Sequence, residues 1–200
     1  MGSEFMQIRR TLSWYVAAAL CAQIPCFSEC SAATSGPLRT EVHAIIIHTI
    51  SGPLCVDGHV VYSGAPGDTA RWKKFFDRDP VLGIHYIVDR TGNVASSTPE
   101  NRTANHAQGN NVGTIGIELV HTGDGREEFR DAQIDALVNL IKSIRTRYDI
   151  AIENIKSHAE VDKRTFRCGG LIEKARLDPG ANFPWSKLRA ALTSRSPSEP

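Results

Sequence analysis

The segment from Val42 to Ile50, VHAIIIHTI, constrains the fold more than any other part of the chain. It is almost continuously apolar and rich in β-branched residues, a pattern typical of a strand buried on both faces of a sheet. Such a strand needs neighbouring strands and covering helices. His48 lies near its end, where a polar side chain costs free energy unless it is hydrogen-bonded or binds a ligand.

The remaining pattern predicts a single mixed α/β domain in which a central mixed β-sheet is flanked by α-helices. Apolar residues recur at helical spacing in the clearest helix, from Phe129 to Tyr148. Glycine and proline predict irregular structure at 51–68 and 159–182. The other predicted elements are strands at 84–89, 94–96, 114–121 and 155–158, and helices at 69–77 and 183–192.

The two ends of the chain are expected to lie outside this domain. Residues 1–5 have the character of a cloning scar, and 6–33 have the basic start, apolar run and small residues of a secretory signal peptide. A membrane anchor is the alternative, but the apolar run is shorter than the ~20 residues that span a bilayer. We expect a domain at 34–192, a frayed tail at 193–200, and a periplasmic or extracellular location.

Charge and cysteine content narrow the possible partners. The chain has 23 basic and 22 acidic residues, a net charge of +1. This balance argues against an electrostatic nucleic-acid partner and against a polybasic membrane-surface protein. Once the leader is removed, Cys55 and Cys168 are the cysteines that stay, and an oxidising compartment favours a disulfide between them. We expect a monomer that is not inserted in the membrane.

Several residues could carry chemistry, although the chain has no HExxH, CxxC or GxSxG motif. His48 and His158 each end a predicted strand, and each is either a hydrogen-bonded core histidine or a metal ligand. Asp178 either opens an ordinary Asp-Pro-Gly turn or supplies a carboxylate ligand. Two histidines, one carboxylate and an open position would make a catalytic zinc site. Glu118, inside an apolar strand, is either an ion-pair partner or a general base.

Five segments together resemble the zinc-dependent N-acetylmuramoyl-L-alanine amidases, whose fold is shared with peptidoglycan recognition proteins. Each segment is short, but all five occur in the family's order and are distributed along most of 42–190. The resemblance implies a central mixed sheet with helices against it. The segments are IIIHTI around His48, GIHYIVDRTGNV at 83–94, NHAQGNNVGTIGIELV at 105–120, SHAEVD at 157–162 and DPGANFPW at 178–185.

The resemblance also implies roles for single residues. His48, His158 and Asp178 match the zinc ligands, and Glu118 matches the catalytic glutamate. His106 matches a motif that borders the substrate groove. Two further residues are groove candidates: Asn111, and Tyr86, whose alternative role is to pack against the sheet.

The chain departs from the family pattern near Asp178. Family members commonly carry a lysine two residues before the ligand aspartate, where this chain has Arg176, and Lys174 lies two residues further back. Either cation could stabilise an oxyanion. Some relatives use cysteine as the third ligand, which makes Cys168 the alternative to Asp178.

The activity that the resemblance implies is hydrolysis of the amide between the lactyl group of N-acetylmuramic acid and L-alanine of the peptidoglycan stem peptide. A non-catalytic peptidoglycan-binding module is the alternative, which the presence of all three ligand candidates and Glu118 disfavours. An exported antibacterial toxin would use the same chemistry. The sequence leaves open whether intact wall, soluble muropeptides or anhydro-muropeptides are the substrate.

Overall fold

The computed structural model describes residues 36–194. The cloning scar, the signal peptide and most of the tail that the sequence predicts lie outside these residues. The elements are β1 (Ala44–Thr49), β2 (Pro53–Val56), β3 (His59–Tyr62), α1 (Thr69–Phe76), β4 (Tyr86–Val88), β5 (Val94–Ser96), β6 (Thr114–Leu119), α2 (Asp131–Arg147), a 3-10 turn (Ile152–Asn154), β7 (Ile155–Ser157), α3 (His158–Val161), β8 (Thr165–Cys168), β9 (Leu171–Lys174) and α4 (Trp185–Thr193).

The centre of the fold is a five-stranded mixed sheet in the order β5-β4-β6-β1-β7. β1 lies between β6 and β7 and is parallel to both, while β5 pairs with β4 in the antiparallel sense. All six residues of β1 are buried. The mixed α/β class and the buried central strand predicted from the sequence are therefore confirmed.

Helices α2 and α4 cover one face of the sheet. The apolar stripe of α2 packs with residues that alternate along β1 and β6, such as Ile45, Ile47 and Ile117, and with Leu188 of α4. Because successive side chains of a strand point to opposite faces, the residues between them face the other side. That other side carries the polar side chains of the site.

Two hairpins correct the sequence prediction, which treated 51–68 and 159–182 as irregular. Strands β2 and β3 pair through the turn Asp57-Gly58, and β8 and β9 pair through Gly169-Gly170. All four turn residues have positive φ, as a two-residue hairpin turn of type I′ requires. Asp-Gly and Gly-Gly are favoured in such turns because they tolerate that backbone conformation.

The two hairpins are joined covalently. A disulfide links Cys55 to Cys168, with Cα atoms 5.4 Å apart, which confirms the predicted bridge. The hairpin turns also touch, since a Cβ on Gly169 would lie 2.3 Å from the carbonyl oxygen of Gly58. Because β9 runs directly into 175–178, the disulfide connects both hairpins to the segment that carries Arg176 and Asp178.

None of the helices within 36–194 combines the length and the apolar character that crossing a bilayer requires.

Candidate metal centre and active site

The site is built where β1, β6 and β7 end. His48 lies near the end of β1, beside Glu118 of β6 in the parallel register. His158 is the first residue of α3, directly after β7. Ser157 caps this short helix, accepting a hydrogen bond from the Glu160 backbone while the Glu160 carboxylate bonds back to Ser157. This capping box fixes the point at which the chain turns away from the sheet.

Asp178 completes a compact cluster with the two histidines. The Nδ1 atoms of His48 and His158 are 2.9 Å apart, and the Asp178 Oδ2 atom lies 3.0 Å from His158 Nδ1 and 3.4 Å from His48 Nδ1. A tetrahedral zinc ion bound at ~2.0–2.1 Å would place its ligand atoms roughly 3.3 Å apart. The three atoms that the sequence proposes as ligands thus converge at a spacing suited to one ion.

The burial of the cluster and the pKa shifts of His48 and Asp178 also suit a zinc ion. The three residues are at most 5% exposed. Burial, opposed in part by Asp178, lowers the pKa of His48 to about 4. Burial alone would raise the pKa of the Asp178 carboxyl, but hydrogen bonds with His158 and His48 hold it well below its usual range. At neutral pH the cluster therefore offers a neutral His48 imidazole and a carboxylate, which are ligands that zinc accepts.

Glu118 lines the same cavity as the cluster. Its chain neighbours Ile117 and Leu119 are fully buried in the core on the opposite face, as the strand alternation predicts. Burial, followed by the negative charge of Asp178, raises the pKa of the Glu118 carboxyl well above its ordinary value. Its Oε2 atom is buried with no hydrogen-bond partner among residues 36–194. A carboxylate in this setting is suited to accepting a proton.

The structure separates the two candidate cations. Arg176 lines the cavity, and its Nε atom lies 3.8 Å from the Asp162 carboxylate. Lys174 lies on the exposed side of β9, opposite Thr165 of β8. The geometry therefore favours Arg176 as the cation that stabilises an oxyanion. The exposed position of Lys174 on β9 does not fit that role.

His106 and Asn111 come from the loop before β6. His106 lines the cavity, and its Nδ1 atom lies 3.0 Å from His48 Nε2. The Asn111 side chain turns back to its own loop, where its oxygen accepts hydrogen bonds from the backbone N–H groups of His106 and Ala107. Asn111 therefore shapes the loop that carries His106, and this role differs from the substrate contact expected from the sequence.

The positions of Tyr86 and Cys168 decide between the two roles that the sequence left open for each. Tyr86 packs against the core on the α2 side of the sheet, and its hydroxyl donates to Glu100 at 2.7 Å. This placement corrects its assignment to the groove. Cys168 is bonded to Cys55, which overturns its alternative role as third ligand.

Asp162 is a member of the site that the sequence reasoning missed. Its Oδ2 atom lies 3.5 Å from His158 Nε2, on the ring edge away from the cluster, and its carboxylate also accepts hydrogen bonds from Arg164. Carboxylates that are hydrogen-bonded behind metal-binding histidines orient the ring. Here the approach falls short of a hydrogen bond, and His158 Nε2 is buried without a partner among residues 36–194. The sequence does carry a signal for this contact. Asp162 follows His158 by four residues, a spacing that places two side chains on the same face of a helix.

The cluster opens into a cavity of about 230 Å³. Helix α1 supplies an aromatic wall to it, with Trp72, Phe75 and Phe76. The Trp72 and Phe75 rings pack edge to face, 5.7 Å between centroids. The cavity thus combines a polar floor at the sheet with an apolar side.

Comparison with known proteins gives consistent relatives. The 1,6-anhydro-N-acetylmuramyl-L-alanine amidase AmpD of Enterobacter cloacae is 31% identical over 126 residues, which are 59% of this chain and 61% of the relative. The N-acetylmuramoyl-L-alanine amidase AmiD of Escherichia coli strain K12 is 35% identical over 82 residues, 38% of this chain and 26% of the relative. The match thus spans about three fifths of AmpD and a quarter of AmiD.

Solved structures share the fold. AmiD from E. coli, in complex with the substrate anhydro-N-acetylmuramic acid-L-Ala-D-gamma-Glu-L-Lys, superposes with a TM-score of 0.56 at 25% identity, over 75% of this chain and 57% of that one. The amidase LysC from Clostridium intestinale URNW gives 0.53 at 23% identity, over 80% and 93%. The sequence model of the N-acetylmuramoyl-L-alanine amidase family matches residues 38–181. The chain belongs to this family.

Proposed function

We propose that this protein is an exported, zinc-dependent hydrolase that cleaves the amide between the lactyl group of N-acetylmuramic acid and L-alanine of the peptidoglycan stem peptide. One observation carries the proposal: the convergence of His48, His158 and Asp178 in a cavity that Glu118 also lines. Family membership supplies the substrate class.

The residues present fit a zinc ion. Two imidazoles and one carboxylate are buried and converge within 2.9–3.4 Å, and three protein ligands leave a position for water or substrate. When bound there, zinc acts as a Lewis acid on the scissile carbonyl and lowers the pKa of a coordinated water toward ~7. His48, His158 and Asp178 would hold the ion, and the Asp162 carboxylate lies 3.5 Å behind the His158 ring, at Nε2.

Glu118 acts as the general base and then as the general acid. Its carboxylate accepts a proton from the attacking water and afterwards delivers it to the amine of L-alanine as the amide bond breaks. Burial raises the pKa of Glu118, which favours proton transfer near neutral pH, whereas a bound cation lowers the pKa again. The products are a free lactyl carboxylate and a stem peptide with a free amino terminus.

Arg176 stabilises the negative charge that develops on the carbonyl oxygen. A guanidinium stays protonated under all ordinary conditions, so Arg176 acts through its charge and its N–H groups and not as a proton donor. The aromatic wall formed by Trp72 and Phe75 supplies apolar surface against which the substrate can lie. His106 borders the same cavity.

Two features support export. Residues 6–33 have the pattern of a secretory signal, and the Cys55–Cys168 disulfide suits an oxidising compartment. Peptidoglycan also lies outside the cytoplasm, so an exported hydrolase would meet its substrate.

Mass spectrometry of peptidoglycan digests tests the proposal. Intact wall and soluble anhydro-muropeptides are incubated with the protein as purified, with metal-stripped protein, and with stripped protein to which zinc is returned. We expect free stem peptides from at least one substrate, their loss on stripping and their return with zinc. Binding to peptidoglycan without released stem peptides in any sample would favour the non-catalytic binding module.

A further inference from the structure

The His48 ring has a defined partner on the edge that faces away from the cluster. Its Nε2 atom lies 3.0 Å from His106 Nδ1, and the two rings meet edge to face. A histidine binds metal through an unprotonated nitrogen, so the hydrogen bond on its other nitrogen decides which tautomer is present. The partner of His48 Nε2 thus bears directly on whether Nδ1 is free to bind.

A chain of hydrogen bonds behind His106 has a direction that can be worked out. His106 Nε2 lies 3.2 Å from the Thr114 hydroxyl oxygen, and that hydroxyl is in hydrogen-bond contact with the main-chain carbonyl of Asn110. A carbonyl only accepts, so the single hydroxyl hydrogen of Thr114 is directed to Asn110. The Thr114 oxygen therefore accepts from His106 Nε2–H.

The same direction of hydrogen-bond donation continues from His106 to the cluster of candidate metal ligands. With its proton on Nε2, neutral His106 has an unprotonated Nδ1, which accepts a hydrogen bond from His48 Nε2–H. His48 then has an unprotonated Nδ1, the atom 2.9 Å from His158 Nδ1 and 3.4 Å from Asp178 Oδ2. Each donor in this chain meets an acceptor.

We propose that His106 is a positioning residue that fixes His48 in the tautomer whose Nδ1 is free to bind the metal. This inference rests on the proposed function, since it assigns His106 a role toward the zinc ion that the cluster is proposed to hold. Both ring nitrogens of His106 face protein partners, so a hydrogen bond from either nitrogen to the substrate would have to break this chain.

Two neighbouring residues also hold His106 in place. Gly116 lies beneath it in β6, and a Cβ there would approach His106 Cγ to 2.6 Å. On the other side, the Asn111 side chain accepts from the His106 backbone N–H at 3.0 Å. The His106 ring therefore packs against the sheet, and the His106 backbone is held by a hydrogen bond.

The test compares His106→Leu, which removes the acceptor, with His106→Asn, whose amide oxygen falls near the position of Nδ1. Exposed His59 supplies the control, His59→Asn. Zinc affinity is measured on metal-stripped protein by competition with a chelator. The His48 tautomer is read from ¹H–¹⁵N spectra of the metal-free wild type and variants. The histidine signals are assigned with variants in which one histidine at a time is replaced.

We expect metal-free wild-type His48 to carry its proton on Nε2. His106→Leu should lose about 10–100-fold in zinc affinity and show a mixture of His48 tautomers, His106→Asn should recover most of the affinity, and His59→Asn should match wild type. Wild-type His48 protonated on Nδ1, or a folded His106→Leu variant with wild-type affinity and tautomer, would overturn the inference.

Two other outcomes are also decisive. If His106→Leu does not fold, as judged by circular dichroism, the wild-type spectrum and the His106→Asn variant decide the question. If wild-type protein binds no zinc, the proposed metal function fails, and the His48 tautomer in the metal-free spectrum still supports or refutes the role of His106.

Discussion

His48 and Glu118 are direct neighbours across two parallel strands, in register along β1 and β6. Parallel register places both side chains on the same face of the sheet, so the candidate metal ligand and the candidate base come from paired positions on neighbouring strands of the central sheet. The neighbours of Glu118 on the other face are anchored in the core. The distance between these two groups is thus fixed by the backbone of the sheet and not by a loop.

Replacement of Glu118 by glutamine should separate catalysis from metal binding. Glutamine keeps the size of the side chain but cannot accept the proton, so hydrolysis should fall by about 10²–10⁴-fold while zinc content and the unfolding midpoint stay near wild type. Muropeptide turnover, metal analysis and thermal unfolding measure the three quantities. Exposed Glu128→Gln is the matched control. Full activity in the folded Glu118→Gln variant would leave the mechanism without its base.

Gly116→Ala should weaken zinc binding although Gly116 is not itself a ligand. The added Cβ would lie 2.6 Å from His106 Cγ and 2.7 Å from Ile84 Cδ1, so the His106 ring must shift, which disturbs its contact with His48. We expect a loss of roughly tenfold or more in zinc affinity, measured by chelator competition. Gly64→Ala, whose Cβ would meet nothing closer than 3.9 Å, should bind zinc as wild type does. Equal affinity in both variants would argue against the packing account.

Removal of the Cys55–Cys168 disulfide should destabilise the protein. The bridge closes a loop with a sequence separation of 113, and a loop of this length contributes about 5 kcal/mol in the chain-entropy model. Urea unfolding of the Cys55→Ser/Cys168→Ser variant should show a loss of that order, and adding reductant should have the same effect on wild type and none on the variant. Unchanged unfolding in both cases would mean that the hairpins are stable without it.

Glu127 should make stability depend on pH. Burial alone would raise the pKa of its carboxyl, but hydrogen bonds from Arg90 and from the Thr122 backbone lower it to about 2. Since this folded-state pKa lies below the unfolded value, the stabilisation is complete above about pH 5 and is lost as the pH falls toward 2, by at most about 3 kcal/mol.

Urea unfolding between pH 2 and 6 measures this effect. Glu127→Gln should be less stable than wild type at pH 6 and should vary less with pH across the range. Glu128→Gln, at the exposed neighbouring position, should retain the wild-type dependence. If Glu127→Gln follows the wild-type curve, the Arg90 ion pair does not contribute as described.

The main elements of the fold could be predicted because they follow from periodicity. The unbroken apolar run of β1 and the helical stripe of α2 each specify burial locally, and the structure has both. The β2–β3 and β8–β9 hairpins were missed because their strands are short and largely exposed, which leaves little apolar alternation. Their turn residues, Asp57-Gly58 and Gly169-Gly170, were the usable signal.

The candidate site was predictable only in part, for a different reason. His48 and Glu118 stand out as polar residues in buried strands, and the resemblance to a family pointed to His158 and Asp178. The contact of Asp162 with His158, and that of His106 with His48, depend on how two loops return to the sheet. The two roles left open for Tyr86 could not be separated, because the alternation of β4 does not by itself show which face carries the site.

Hydrolysis in ¹⁸O-labelled water tests the central claim most directly. A muropeptide is digested by the zinc-loaded protein and the products are weighed by mass spectrometry. The account predicts one ¹⁸O atom in the lactyl carboxylate of the muramic acid product and an unlabelled stem peptide that begins with L-alanine. Label in the peptide, cleavage at another bond, or no cleavage by protein that has bound zinc would contradict it.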